Sequence, residues 1–530
     1  MKKIIIVLIT VILALPVDLF SQNQSDSLVS FSGIKFHSEF EQQALKSYIQ
    51  NKKDTFNLFL AIDENMTTEI ASGYRFIFNK VIAELFKQKI ETKNPERKIR
   101  MLYSTLHNKF LKKYNENEYF PFIFKEGTYN CVSASLLFSL VFDQLKIPYK
   151  VMASKSHIYL IANPGNNSIV IETTNPAFEN SIFNGDFKEQ YVTNLRKSKL
   201  ISEDDFKSKS IEEIFATRFN ELTEVKVSNL PGFQYYNMAL TKAVDQDIDK
   251  AYDLAQKAYY FYPDQQVKTL FYSALAYKLN KCEFNKMEDV DLLTQYAKLD
   301  PSNTNQITRI FDVMLAKNLQ YTDRSKNIES YYQRLKSQIS NQSILEEIGF
   351  NYYMTRAYSK KYDLSGSAYF ARQALKFKPN HKDAISLFEA CLQNDLQGTD
   401  ISVSYLDSLN SYDKELNNED LSSIISEHKN LLYLKIAKRA FSNKNIVEGE
   451  KYLSIFENNF KLPFKKPDMK YTLENAYYEY AAYYAHKKNK AMVEKIISRG
   501  LKLVPNSNMI QSARDNYPIR VITKMQVVRN

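Results

Sequence analysis

An α+β domain followed by an all-α solenoid of helix pairs is the fold class this sequence predicts. Three observations predict it. Apolar residues recur at helical spacing over most of the chain. β-rich runs are confined to a short stretch between residues 149 and 172. Beyond about Val225 an amphipathic helix ending in an x-Pro-Asx/Ser turn recurs. At 530 residues the chain exceeds one ordinary core, so two or three domains are expected. Its 11 glycines argue against a turn-dense all-β architecture, and neither GxGxxG nor GxxxxGK[ST] occurs.

The N-terminus has the form of an export signal. Lys2-Lys3 supplies the charged start, Ile4 to Leu15 the apolar run, and Pro16 its end, with Ser21 offering a small residue for cleavage. That run is shorter than the roughly 20 residues that span a bilayer. The expected arrangement is a signal peptide over 1–22, an uncleaved anchor being the alternative, on a periplasmic or extracellular protein. No cysteine follows the apolar run to carry a lipid, and no second stretch reaches transmembrane length. A polar lead-in over 23–45, an α+β domain over 46–225, helical repeats over 226–516 and a tail over 517–530 complete the expected organisation.

The formal net charge is +11. It is spread along the chain and alternates with acids. No basic block with interleaved aromatics grips a nucleic acid, so none is expected as a partner. A solvated Lys-rich surface accounts for the excess, attraction to an acidic envelope surface being the sharper alternative. The three cysteines, Cys131, Cys282 and Cys391, are an odd number, so at least one thiol stays out of any pairing within the chain.

Within the first domain, Ile70, Tyr74, Ile77, Phe78, Val81, Ile82, Leu85 and Phe86 recur at helical spacing, and a second amphipathic run covers Ile99 to Tyr114. An aromatic loop, Tyr119-Phe120-Pro121-Phe122, leads to Gly127-Thr128-Tyr129-Asn130. Residues 131–145 have helical period, and 149–153 read as a strand after Ile147-Pro148. Residues 157–161 and 168–172 flank the turn signal Asn163-Pro164-Gly165-Asn166-Asn167 and read as a hairpin.

Asn130 is a good N-cap, which puts Cys131 in a first helical turn. Unpaired N–H groups there favour a thiolate and suit an oxyanion. A thiolate nucleophile needs an imidazole oriented by a third group. With 162–167 as the loop, the hairpin opposes Ile161 with Ser168, Tyr159 with Val170 and His157 with Glu172. Opposed residues lie about 4.5–5.5 Å apart at Cβ, so Glu172 is expected beside His157. Tyr159 and Val170 then share the catalytic face, while Ile158, Leu160 and Ile171 face a core. Asn130 is a candidate oxyanion or supporting residue, Asn175 the fallback third member, and His107 and Asn108 candidates to line the site. No second Cys or His pair stands at ligand spacing, so neither metal nor cofactor is expected.

The order of helix-borne Cys, strand-borne His and strand-borne acid resembles the transglutaminase-like superfamily of papain-like folds. The resemblance rests on about 50 residues: Gly127 to Ser135, Leu145-Lys146-Ile147-Pro148 with its strand, His157-Ile158-Tyr159-Leu160, and Ile171-Glu172-Thr173-Thr174-Asn175. It implies a Cys131 nucleophile, a His157 base and acid, and Glu172 orienting it, in a place where the family usually has Asp.

The later helices carry the x-Pro turn at 254–264, 293–303, 371–381 and 494–507, three of them with a Tyr/Ala-rich helix upstream. Pro stops a second helix and lets the next begin. The pattern resembles tetratricopeptide-type repeats, which implies a groove for a protein or peptide ligand. The Tyr and Ala stripes themselves are expected to pack between helices. The sequence thus points to an exported thiol hydrolase or acyltransferase acting on amides or esters. The alternatives are a catalytically silent repeat scaffold for protein–protein interaction, or a structural envelope protein.

Overall fold

The computed structural model describes residues 29–516, apart from 52–53, 155–156, 166–167, 175–188, 190–191, 194–195, 197–200, 221–222, 322–323, 361–362, 398–402, 417 and 465–466. The expected signal peptide, the tail and Asn175 lie outside the described residues. Two compact units divide the chain. The first runs to Cys282 and takes in Lys298–Asp300; the second comprises Glu283–Ala297 and the chain from Pro301. The change of character expected at about 225 therefore falls inside the first unit.

In the first unit, α1 (Glu39–Asn51), α2 (Thr55–Leu60), α3 (Thr68–Lys87) and α4 (Pro95–Lys109) precede a two-stranded parallel pair, β1 (Lys113–Tyr114) with β2 (Thr128–Tyr129). The helix expected from Ile99 to Tyr114 thus ends early. Between the paired strands the expected aromatic loop is a short helix, α5 (Phe120–Lys125). Gly127, at φ 74, turns the chain into β2. Of the α3 stripe, Phe78, Val81, Ile82 and Leu85 are buried, while Ile70, Ile77 and Phe86 are exposed. One helix face can meet a core, and the remaining apolar positions lie off it.

α6 (Cys131–Leu145) is apolar on nearly every side, and all its residues from Val132 to Phe142 are buried. It packs against a four-stranded antiparallel sheet of order β5-β4-β3-β6, formed by β3 (Tyr149–Ala153), β4 (Ile158–Ala162), β5 (Ile169–Ile171) and β6 (Thr223–Val225). Each fully buried Leu or Phe in such a layer contributes about 1.5–3 kcal/mol. The other face of the sheet carries Tyr159 and Val170 into a small core with Ile214 and Phe215, which lie on α8 (Ile211–Asn220) after α7 (Glu203–Ser208).

Three further helices belong to this unit: α9 (Leu230–Val244), α10 (Ile248–Phe261) and α11 (Gln265–Lys281). Helix α9 binds the N-terminal elements through buried polar groups. Gln234 accepts the Phe120 N–H at 2.9 Å. Tyr235 donates to Glu41 Oε1 at 2.9 Å, and the Lys257 ammonium of α10 meets the same carboxylate at 2.7 Å, with both charged side chains fully buried. The polar lead-in expected to 45 is accordingly packed from Val29 onward, with Ile34, Phe40 and Leu45 buried. Its polar composition concealed a carboxylate that has an internal partner.

The second unit is a stack of helices: α12 (Met287–Leu299), apart from its last two residues, α13 (Thr304–Leu319), α14 (Ile328–Gln338), α15 (Gln342–Ser359), α16 (Leu364–Phe377), α17 (Lys382–Gln397), α18 (Ser404–Leu416), α19 (Glu419–Ser442), α20 (Ile446–Asn459), α21 (Pro467–His486), α22 (Lys490–Leu503) and the short α23 (Asn508–Ser512). Helices α15 and α16, α19 and α20, and α21 and α22 pack as pairs. The turn inside several pairs is a shared device. Gln246, Lys444 and Lys488 have φ of 64, 61 and 61, and each is followed by an Asp or Asn N-cap: Asp247, Asn445 and Asn489. Tyrosines pack between helices, Tyr332 stacking on Tyr352 with ring centroids 4.2 Å apart. No described helix is long and apolar enough to cross a membrane.

Candidate active site

Cys131 stands at the first position of α6, partly exposed and outside any disulfide. Its location follows from the cap. Asn130 Oδ1 accepts the Ser133 N–H at 2.8 Å, and Ser133 Oγ accepts the Asn130 N–H at 2.9 Å, a reciprocal capping box. Asn130 Nδ2 donates to the carbonyls of Glu118 at 2.6 Å and Glu116 at 3.2 Å. Both amide hydrogens are thereby engaged, so Asn130 supports the helix start and has no side-chain donor left for an oxyanion. The backbone N–H groups of Cys131 and Val132 remain for that purpose, since the first intrahelical bond runs from Ala134 N–H to Asn130 O.

His157 lies just before β4, in a turn closed by Ser154: the His157 N–H reaches Ser154 Oγ at 3.1 Å and the Ser154 N–H reaches His157 O at 2.8 Å. His157 Nε2 is 2.6 Å from Glu172 Oε2. Cys131 and His157 line the same cleft, and the Cys131 sulfur raises the imidazole's proton affinity. Glu172 is held in turn. Its Oε1 accepts from the Thr174 hydroxyl at 2.6 Å and the Thr174 N–H at 3.1 Å, and its backbone carbonyl accepts from the Tyr103 hydroxyl at 2.7 Å.

The hairpin register differs from the expected one. Leu160 pairs with Ile171, Ile161 with Val170 and Ala162 with Ile169, a shift of two residues. Ser168 causes it by joining the turn, where its Oγ donates to Gly165 O at 2.7 Å and accepts the Gly165 N–H at 2.9 Å. A shift of two keeps every side chain on its face. Tyr159 and Val170 do not line the site as expected; they are buried on the covered face of the sheet. Ile158 borders the cleft instead. His157 escapes the strand alternation because it sits in the turn ahead of it.

Burial disfavours charge on both His157 and Glu172, yet each stabilises the charge of the other. The Glu172 carboxylate and the Cys131 sulfur hold His157 well above its ordinary value of 6.5. His157 and the Thr174 hydrogen bonds hold Glu172 below 4.5. The pair is an imidazolium and a carboxylate.

Aromatic side chains back the site. Tyr103 stacks on His107 at 4.3 Å, and His107 meets Tyr129 edge-on at 5.9 Å. Burial pushes the His107 imidazole down to about 4, so it is neutral. Burial and the nearby Glu172 push the Tyr129 hydroxyl up to about 12. Asn108 is exposed on α4, its amide 3.4 Å from Ser104. Neither His107 nor Asn108 borders the cleft at Cys131.

That cleft has a volume of about 70 Å3. Cys131, Val132, Ser154, His157 and Ile158 form one side; Phe233, Tyr236, Asn237, Tyr262, Asp264, Gln266 and Val267 form the other. The second group comes from α9, the α10–α11 turn and the start of α11, about 100 residues beyond the nucleophile. Sequence reading missed these residues, and no local pattern marks them. Ser154 was also missed, and Thr174 stood in the motif around Glu172 without a role, although a hydroxyl two or three residues from a candidate acid or base is a readable signal. Among the described residues no group of three or more His, Cys, Asp and Glu side chains is placed to hold a metal ion.

No family model and no curated protein matches this chain. Solved structures that resemble it include a monomeric mutant of IFIT1 with m7Gppp-AAAA and another with Gppp-AAAA. Each is 10% identical to this chain, covers 82% of it and 89% of the other chain, and has a TM-score of 0.15. A likeness that remote carries no argument about this chain; the stacked helix pairs described above rest on its own structure.

Proposed function

We propose that this chain is an exported thiol enzyme of the transglutaminase-like kind, a peptidase, amidase or acyltransferase, whose helix pairs hold a protein or peptide ligand. The observation that carries the reading is the 2.6 Å contact of His157 with Glu172 in a cleft that Cys131 also lines. Cys131 Sγ attacks an amide or ester carbonyl, forming a C–S bond while the carbonyl electrons move to oxygen. The N–H groups of Cys131 and Val132 receive that oxyanion. His157 gives its proton to the leaving nitrogen or oxygen as the C–N or C–O bond breaks. Water or an amine then attacks the thioester, His157 takes its proton, and the thiolate leaves. Glu172 keeps the imidazole oriented and charged throughout, and Thr174 keeps Glu172 in place. Export is supported by Lys2-Lys3 and the apolar run from Ile4 to Leu15.

The test is thiol labelling near neutral pH with iodoacetamide, followed by mass spectrometry. Rapid alkylation of Cys131 that slows at least tenfold in His157→Ala is the expected result. Alkylation of Cys131 no faster than that of an ordinary thiol, unchanged by His157→Ala, overturns the enzyme and leaves a silent scaffold.

A further inference from the structure

The far wall of the cleft has a chemistry of its own. Phe233 and Tyr262 stack with centroids 4.4 Å apart, and Tyr236 stands beside them. Asp264 brings the wall's one acidic side chain. Its Oδ1 caps α11 by accepting the Gln266 N–H at 2.8 Å, which leaves Oδ2 for another partner. Among the described residues no lysine or arginine forms an ion pair with Asp264, although ion pairs are frequent elsewhere on the molecule. Aromatic faces with a carboxylate next to them attract a cation and disfavour an anion.

Resting on the thiol reading above, we infer that the cleft formed by Phe233, Tyr236, Tyr262 and Asp264 beside Cys131 selects an acyl donor carrying a basic side chain, lysine or arginine, next to the carbonyl that is attacked. The aromatic faces take the aliphatic stem and Asp264 takes the charged head. An acidic side chain there meets both Asp264 and the desolvating aromatic walls and is rejected. The α9–α11 helices thus supply specificity to a nucleophile carried by the α+β part.

The test uses the full chain and a matched pair of tripeptide chloromethyl ketones, one ending in lysine and one in norleucine, which share a stem and differ in the ammonium. In each the Cys131 thiolate forms an Sγ–CH2 bond as the C–Cl bond breaks and chloride leaves. The lysine reagent is expected to label Cys131 about tenfold faster. Asp264→Asn retains a good N-cap, so it should preserve α11 and abolish most of that preference, read as the ratio of the lysine to the norleucine rate. Equal rates for the two reagents in the wild-type protein, or a lysine preference that survives Asp264→Asn, overturn the inference. Iodoacetamide, which has no side chain to select, separates the two levels. If it alkylates Cys131 in a His157-dependent way while the peptide reagents show no preference, only the pocket assignment falls. If it does not, the thiol reading falls and takes the pocket with it.

Discussion

His157 Nε2 and Glu172 Oε2 lie 2.6 Å apart, and each residue keeps the other charged. The raised value of His157 means that its contribution to stability is complete below 6.5 and is lost as pH rises through the folded-state value. The lowered value of Glu172 means that its contribution is complete above 4.5 and is lost as pH falls through its own. Together they define a window. The stability advantage of wild type over Glu172→Gln is expected to be greatest between about pH 4.5 and 6.5 and to shrink on both sides, as read by melting temperature against pH. An advantage that keeps growing above pH 7 would contradict the charge assignment.

The same substitution should alter reactivity. A neutral amide in place of the carboxylate cannot stabilise an imidazolium, so Cys131 alkylation in Glu172→Gln should fall by about ten- to hundredfold. The imidazole limb of its pH profile should move toward lower pH. A rate loss with an unmoved limb would assign Glu172 to packing alone.

Asn130 is tested through the helix it starts. Asn130→Ala removes the acceptor of the Ser133 N–H and the donors to Glu116 and Glu118. A loss of about 1–2 kcal/mol in urea unfolding is expected. Asn130→Asp, which retains only the acceptor, should fall between alanine and wild type.

The buried Glu41–Lys257 pair makes a different prediction. Lys257→Met alone strands a carboxylate inside the first unit and should cost about 3–5 kcal/mol. Adding Glu41→Gln removes the stranded charge and keeps an acceptor for Tyr235, so most of the loss should return. Additive losses in the double variant, measured by chemical denaturation, would show that the two charges do not act as a pair.

Gly232 lies where α9 crosses the end of α10. A Cβ there would sit 2.7 Å from Tyr262 Cβ and 3.0 Å from the Ala258 carbonyl oxygen. Gly232→Ala should therefore displace the Tyr262 wall and cost about 1–3 kcal/mol. Peptide reagents should label Cys131 more slowly in this variant, whereas iodoacetamide should be little affected.

Much of this arrangement is local enough to read from the chain. The 131–145 helix, the 149–153 strand and the x-Pro stops of the later helices each depend on neighbours within a few residues. The hairpin register does not: it turned on whether Ser168 spends its hydroxyl on Gly165 or continues the strand, and both fit the same letters. The polar look of residues 29–45 hid Glu41, whose partners Tyr235 and Lys257 lie about 200 residues away. The cleft wall was illegible for the same reason. Phe233, Tyr262 and Asp264 look like ordinary helix and turn residues until the fold brings them to Cys131.

Four consecutive residues of α9 are divided among three tasks: Phe233 and Tyr236 face the cleft, Gln234 holds α5, and Tyr235 holds α1. No seam therefore exists at the point where the strands end and the helices begin. A gene cut after residue 225 would yield one fragment with a nucleophile open to bulk water and a buried carboxylate without its ammonium, and another with a lysine exposed in the middle of an apolar surface. Neither fragment could be exchanged with a homologous module by simple recombination. The reacting half and its first helices would have to be inherited, and engineered, as a single piece.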